Sequence, residues 1–309
     1  MTDPTQRLTP VVRLAPAKLN LTLAVVGRRD DGYHSLHSVM VPLALADRLS
    51  LAILPAGDDT LHVTGFDPGP ADRNLALRAI ALARSTLASA RIPTPPLAVR
   101  LDKRIPVAAG LAGGSSDAVA ALDGALEAWS AELDAEQRFA IAARLGSDVP
   151  FFLSGGPALV EGRGERVTPR VPARTADVFA AWSNGAMAEP GVARRTSEHF
   201  ASEFGAGLTV RALVERAGVL ASANDLWPAA TVVVPGILPL RRALTRLLRR
   251  PIGLSGSGPT LWALYPSAVE AATAADAVLA AIDDASIRPS GGEPPFVAAT
   301  TIQTEGRDE

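Results

Sequence analysis

Cysteine is absent from this sequence. That excludes disulfides and thiolate chemistry, and it fits a cytoplasmic chain. Histidine is scarce, with His34, His37, His62 and His199 the full set. No HExxH is present either, so a multi-histidine metal centre is not expected. No apolar run reaches ~18 residues. The first residues, MTDPTQRLTP, are polar, so neither a membrane span nor a secretory leader is expected. An excess of one charge is lacking as well: 30 Lys and Arg stand against 32 Asp and Glu, a formal net charge of −2. That balance gives no electrostatic reason to expect nucleic acid as a partner. No internal repeat is visible. The expectation is a soluble cytoplasmic enzyme or binding protein with no membrane partner.

What is present begins with size. The 309 residues are 48% hydrophobic and 20% charged, the make-up of a globular chain with room for two domains. The most informative stretch is PVAAGLAGGSSDAVAAL, residues 106–122, where Gly110, Gly113 and Gly114 stand directly before Ser115, Ser116 and a run of helix formers. Glycine lets a ligand approach the backbone, and the unpaired N–H groups at a helix start carry positive partial charge. Together they suit an anion, most often phosphate. The alternative is a glycine turn in which Ser115 or Ser116 acts only as N-cap. Two common nucleotide signatures are lacking here. No Lys follows the glycines as a P-loop requires, and Gly110-x-x-Gly113-Gly114 is not G-x-G-x-x-G.

Along the chain, Leu19, Leu21, Leu23 and Val25 alternate with Lys18, Asn20 and Thr22, predicting a strand with one apolar and one polar face. A turn through Asp31-Gly32 precedes a β-like run from His34 to Leu45, and 47–54 reads as a separate strand. Helical spacing covers 73–88, and 97–104 alternates as a strand. The glycine loop therefore joins a strand to a helix, whose core stripe is Val119, Leu122, Leu126 and Trp129. A further helix over about 135–145 ends at Gly146. Asp148 falls in the connection before a short apolar strand. Residues 168–176 read as an interdomain connection. Beyond it, helices are expected near 209–220, 236–249 and 268–282, and strands near 177–182, 259–265 and 296–302. The mixture without a regular βαβ repeat predicts an α+β fold in two domains. The five arginines of LRRALTRLLRR, 240–250, are expected on the solvated side of a helix whose apolar face is Leu240, Leu244, Leu247 and Leu248.

Six landmarks now stand in order: PAKLNLTL (16–23), GRRDDGYHSLHSVM (27–40), PVAAGLAGGSSDA (106–118), LGSDVPFFLSGGPALVEGRGE (145–165), ANDLW (223–227) and GLSGSGPTLWALY (253–265). Their combination resembles the galactokinase, homoserine kinase, mevalonate kinase and phosphomevalonate kinase family of small-molecule kinases. The match is close over about 14–167 and sparser beyond. The resemblance implies an N-terminal ATP-binding α+β domain over 1–168 and a ferredoxin-like α+β domain over 169–309, with substrate in the cleft between them. It implies transfer of the ATP γ-phosphoryl to an alcohol. The 27–40 segment further implies an acceptor carrying a cytidine diphosphate moiety, phosphorylated at the 2-hydroxyl of its methylerythritol unit on the non-mevalonate route to isoprenoid precursors.

The resemblance also implies roles for single residues. Asp148 is the expected general base, placed just after a helix C-terminus whose negative dipole end favours the proton. Lys18 either faces solvent or lines the cleft by alternation alone; the PAKLNL match makes it the cation that orients the reacting oxygen. Asn20, with Thr22 as a lesser candidate, is expected to touch substrate from the same face. Pro106, Val107, Ala108, Ala109, Gly110, Leu111, Ala112, Gly113, Gly114, Ser115 and Ser116 are expected to wrap the ATP phosphates. Mg²⁺ is expected with ATP, and no residue is assigned to it. Tyr33 and His34 either pack a hairpin or, as the GYH match implies, stack on and hydrogen-bond the cytosine.

Two stretches depart from the family pattern. Ala108 and Ala109 stand where glycines are common, and 182–200 differs enough that no contact is carried over from it. Rival readings are a related kinase acting on homoserine, mevalonate or a sugar, and a regulator that binds ATP without turnover. The first is disfavoured by DDGYH, the second by the joint presence of Lys18 and Asp148. Whether the protein is a monomer or a homodimer is not written in the sequence.

Overall fold

The computed structural model describes residues 9–28, 34–162, 164, 166–169, 191–205, 209–289 and 295–303. Tyr33, the expected strand at 177–182, most of the 168–176 connection and residues 182–190 lie outside them. Packing divides the chain into two interleaved units, Met1–Ala17, Leu45–Val107 and Ala112–Leu153 forming the first, and Lys18–Ala44, Ala108–Leu111 and Ser154–Glu309 the second. This grouping follows spatial contact, whereas a boundary at 168 follows the chain.

In the first unit, β4 (Thr60–Gly65) lies parallel to β5 (Leu97–Lys103), and β5 pairs antiparallel with the second half of β3 (His34–Ile53) from Arg48↔Asp102 to Ile53↔Leu97. The 20-residue β3 replaces the two strands expected over 34–45 and 47–54. Asp47 does not break it, because its carboxylate is satisfied: Oδ1 accepts from the N–H groups of Arg104 (2.6 Å) and Ile105 (2.8 Å). Among its described residues, the unit is completed by a short turn at Ala71–Arg73, three longer helices and one short one. In α1 (Leu75–Ala88), capped by Asn74, Ala76, Ala79, Ile80, Ala83 and Leu87 form the buried stripe. In α2 (Gly113–Ala128), Val119, Leu122 and Leu126 are buried as their spacing predicts, and Trp129 closes the stripe at the C-cap. A Cβ on Gly124 would stand 2.6 Å from Leu51 Cδ1, so the missing side chain sets how closely α2 lies on β3. The α3 helix (Ala135–Leu145) opens on an Asp134–Gln137 capping box and stops before Gly146, as expected. VPFF, directly after Asp148, forms the single turn α4 (Val149–Phe152), with Pro150 at a helix-start position that suits it.

In the second unit, the first half of β3 pairs with β2 (Ala24–Arg28) and with β6 (Ala158–Gly162), which pairs in turn with β7 (Arg166–Pro169), all antiparallel. The strand β1 (Val11–Asn20) also pairs with β3. Its expected polar face is not solvated: Lys18, Asn20 and Thr22 are as buried as Leu19, Leu21 and Leu23. Among the described residues its helices are α5 (Val192–Gly205), α6 (Val210–Glu215), α7 (Ala217–Ser222), α8 (Trp227–Val233), α9 (Ile237–Leu248) and α10 (Ala268–Asp283). The helix expected at 209–220 is thus two, interrupted at Arg216. The strand expected at 259–265 shortens to β9 (Leu261–Trp262), paired with β8 (Gly253–Leu254). That expected at 296–302 reduces to a single bridge, Leu43↔Ile302. On α9, Leu247 is exposed and Arg241 is not on the solvated side: its guanidinium lies 4.2 Å from the Trp227 ring centroid, and Nε donates to Ile252 O. A planar cation stacked on an indole is stabilised there in spite of burial.

Candidate active site

Within the second unit, Lys18 is the centre of a buried polar cluster. The side chain is 3% exposed, and Nζ donates to Asn20 Oδ1 (2.6 Å) and to the Gly110 carbonyl (2.9 Å). Asn20 is fixed in turn: Nδ2 donates to Ser38 Oγ (2.7 Å), which donates to Thr22 O (2.6 Å). Thr22 Oγ1 accepts from Val39 N and shares a hydrogen bond with Ser197 Oγ. Residues 108–111 enter this cluster from the glycine loop, held by Lys18 N to Leu111 O at 3.0 Å. The second glycine loop closes it. Ser255 Oγ donates to Gly110 O (3.1 Å) and accepts from Asn20 N (3.4 Å), while Thr260 N donates to Ala109 O. A Cβ on Gly110 would meet Ser255 O at 2.7 Å and Gly258 O at 3.0 Å, so only glycine fits where these backbones meet. Asn224, buried, grips the same loop through Nδ2 to Leu254 O and Gly256 O.

Within the first unit, Pro106 and Val107 end the approach from β5, and α2 starts at Gly113, not at 116. The N-cap is Ala112, at φ +53, and makes no side-chain cap bond. Neither Ser115 nor Ser116 is therefore the N-cap. Gly114 is exposed, Ser115 half-buried, and Ser116 is fully buried with its hydroxyl unpartnered. The N–H groups of Ser115 and Ser116 donate to Ala112 O, and no side chain caps the helix start, so its positive end suits an anion. Ala108 also has positive φ, +56, a conformation glycine adopts without cost. Asp148 is half-buried beyond α3 and immediately before α4. The negative end of α3 expected beside it is thus faced by the positive end of α4, so its local field has two contributors of opposite sign. His34 opens β3, exposed, opposite Arg28.

Some participants were not singled out from the sequence. Ser255 and Asn224 lie in quoted landmarks but were given no role. Under the first turn of α2, Lys103 Nζ bridges Asp47 Oδ2 and Asp117 Oδ2, the latter at 2.8 Å, and all three side chains are buried. The signal for this triad was present: Lys103 continues the inward alternation of Leu97, Val99 and Leu101, a place where lysine needs a buried counter-ion. Burial pushes the Asp117 carboxyl up to about 7 although Lys103 pulls it down. Burial draws Lys103 downward, but Asp117 and Asp47 together hold it above the ordinary lysine value. In the second unit His37 is wholly buried, with Nδ1 2.8 Å from Ser197 Oγ. Burial, then Arg194, lowers its pKa to about 3, so it is a neutral imidazole. Among the described residues no group of three His, Cys, Asp or Glu is arranged to hold a metal, and no helix is long and apolar enough to cross a membrane.

Residues 74–156, from the α1 N-cap through α4, match the GHMP kinases N terminal domain. Solved kinases share the whole fold at low identity. They include the Methanococcus jannaschii mevalonate kinase (11% identical, TM-score 0.59, 90% of this chain and 96% of that one). The homoserine kinase from Cytophaga hutchinsonii is another (16% identical, TM-score 0.58, 99% and 97%). The architecture is therefore that of the GHMP kinases. Closer relatives narrow it. A 4-diphosphocytidyl-2-C-methyl-D-erythritol kinase of Deinococcus radiodurans is 39% identical over 280 residues, covering 89% of this chain and 91% of that one. Its counterpart in Anaeromyxobacter sp. is 36% identical over 296 residues, 94% and 91%. A crystal structure of 4-(cytidine 5'-diphospho)-2C-methyl-D-erythritol kinase aligns at TM-score 0.60 and 34% identity over 87% of this chain and 95% of that one. The chain belongs to the 4-diphosphocytidyl-2-C-methyl-D-erythritol kinase family.

Proposed function

We propose that this protein transfers the γ-phosphoryl group of ATP to the 2-hydroxyl of 4-diphosphocytidyl-2-C-methyl-D-erythritol, giving the 2-phosphate and ADP on the non-mevalonate route to isoprenoid precursors. The observation that carries this reading is identity of 39% sustained across 89% of the chain with a kinase of that name. The buried Lys18–Asn20–Gly110 cluster supports it chemically. Phosphoryl transfer asks mainly for positioning and charge stabilisation. Asp148 takes the proton of the acceptor hydroxyl as that oxygen bonds to the γ-phosphorus and the bridge to ADP breaks. Lys18, its ammonium aimed by Asn20 and the Gly110 carbonyl, offsets negative charge on the reacting oxygen.

Residues 106–116 hold the phosphates with main-chain N–H groups and the positive end of α2. Mg²⁺ accompanies the nucleotide. When bound with the nucleotide, it would neutralise phosphate charge beside residues 106–116. Tyr33 and His34 read the cytosine, and Asn20 lies beside the acceptor. The 1–168 segment serves as the nucleotide domain and 169–309 as the second domain, in the cytoplasm.

The test is a coupled ADP-release assay with 4-diphosphocytidyl-2-C-methyl-D-erythritol, mevalonate, homoserine and galactose as acceptors. Turnover is expected with the first alone. Comparable turnover with another acceptor refutes the substrate assignment, and no turnover with any makes the protein an ATP-binding regulator.

A further inference from the structure

Asp47 and Asp117 share one ammonium but are not equally served. Asp47 accepts from Lys103 at one oxygen and from two backbone N–H groups at the other, a full complement for an ionised carboxylate. Asp117 accepts from Lys103 at Oδ2, while its Oδ1 is buried with no partner. Two carboxylates and one ammonium leave a net negative charge sealed from water unless one carboxylate is protonated, and the under-served member is Asp117. The location gives this charge a use. A Cβ on Gly113 would stand 3.0 Å from Lys103 Nζ, which places the triad directly under the first turn of α2. Asp117 follows four residues later, about 6 Å along the helix axis.

Among the described residues, the other charges on and around α2 are exposed or paired, Glu127 with Arg13, and half-buried Asp148 stands ahead of α4. On α1, Arg78 is exposed and Arg84 pairs with Asp59; on α3, Glu136 and Arg144 are exposed and Arg138 reaches Asp123; α4 carries no charged residue. On β3, Arg48 is exposed, and beyond β5 Arg104 pairs with Asp102. An anion docked at the helix start therefore meets the field of the triad itself.

We propose that Asp117 is a positioning residue for the nucleotide loop: acting through Lys103 and the first turn of α2, it takes up a proton when the phosphates of ATP dock there. The inference rests on the reading of 106–116 as the ATP loop. With Asp117 ionised, the floor of the loop repels phosphate; with Asp117 protonated, the triad is neutral and the positive helix end acts unopposed. The proton comes from solvent, and no covalent bond changes. The raised pKa of about 7 places this exchange near neutrality.

Titration calorimetry of a non-hydrolysable ATP analogue, in two buffers of different ionisation heat, reads the proton directly. Wild type is expected to take up about half a proton more than Asp117→Asn at around pH 7.5. Affinity in the variant is expected to be about 5-fold higher than wild type near pH 8 and equal to it near pH 6, since titration of the nucleotide is common to both. Equal uptake and parallel pH profiles in the two folded proteins would overturn the proposal. Infrared difference spectra of wild type alone give an answer that does not depend on the variant folding: a protonated-carboxyl band must grow on binding, and its absence is equally fatal. A third protein separates this inference from the loop reading. Gly114 is exposed, with its nearest neighbour, Leu75 Cδ1, 3.9 Å from an added Cβ, so Gly114→Val tests the loop without disturbing the core. Wild-type binding by that variant removes the loop reading and this proposal with it. Lost binding there, beside equal uptake in wild type and Asp117→Asn, removes this proposal alone.

Discussion

Asn20 holds Lys18 from one side and Ser38 from the other, its amide oxygen 2.6 Å from Nζ and its amide nitrogen 2.7 Å from Oγ. An ammonium 3% exposed is costly to place, and these contacts determine where it points. Lys18→Met is expected to lower kcat by about 10²-fold or more while ATP affinity changes little. The Gly110 carbonyl and the Asn20 amide oxygen each lose a donor, so stability should fall by about 1–3 kcal/mol. Steady-state kinetics beside urea unfolding separates the two effects, and unchanged kcat in a destabilised variant would make Lys18 structural.

Asp148→Asn keeps the shape of the side chain and removes the base. Turnover should drop about 10²–10⁴-fold with the circular dichroism spectrum and ATP binding preserved. Near wild-type kcat would end the assignment.

Asp117 also tilts stability with pH. Its pKa rises from 3.8 when unfolded to about 7 when folded, so the native state binds more protons between those values. Stability from this residue is complete below the lower value and is lost as pH rises toward about 7. His37 acts oppositely: lowered from 6.5 to about 3, it favours folding above the upper value and penalises it as pH falls. Asp117→Asn should therefore gain urea resistance over wild type at about pH 8 and gain little at about pH 4. Equal gains at both would show that the carboxyl is not titrating.

Ala108 is exposed and held at φ +56. Its methyl contributes little packing and strains the backbone, so Ala108→Gly should stabilise the protein by about 1 kcal/mol. Thermal unfolding reads the change, and a lower melting temperature would show that the methyl group packs after all.

The elements legible in the sequence were those governed by near neighbours. The α3 helix stops where Gly146 puts it, and β5 alternates over its whole length. What misled were polar residues whose partners lie far along the chain. Asn20 is expected on a polar strand face toward substrate, yet its backbone bonds Ser255, 235 positions away. Asp47 reads as the start of a separate strand, yet residues 103–105 satisfy it within one β3. For the same reason the loop, Lys18 and Asp148 were singled out by motif, while Lys103 and Asp117, which only tertiary packing brings together, were not.

The contact of Gly110 with Ser255 and Gly258 bears on how this protein can be engineered. Residues 108–111 and 253–260, more than a hundred positions apart in sequence, meet main chain to main chain. A saturation library confined to 106–116 would find position 110 closed to every side chain, because the obstruction is the main chain of 255–258 and not a side chain that could be trimmed. Transplanting the 106–116 loop from another kinase would succeed only if 253–260 travelled with it.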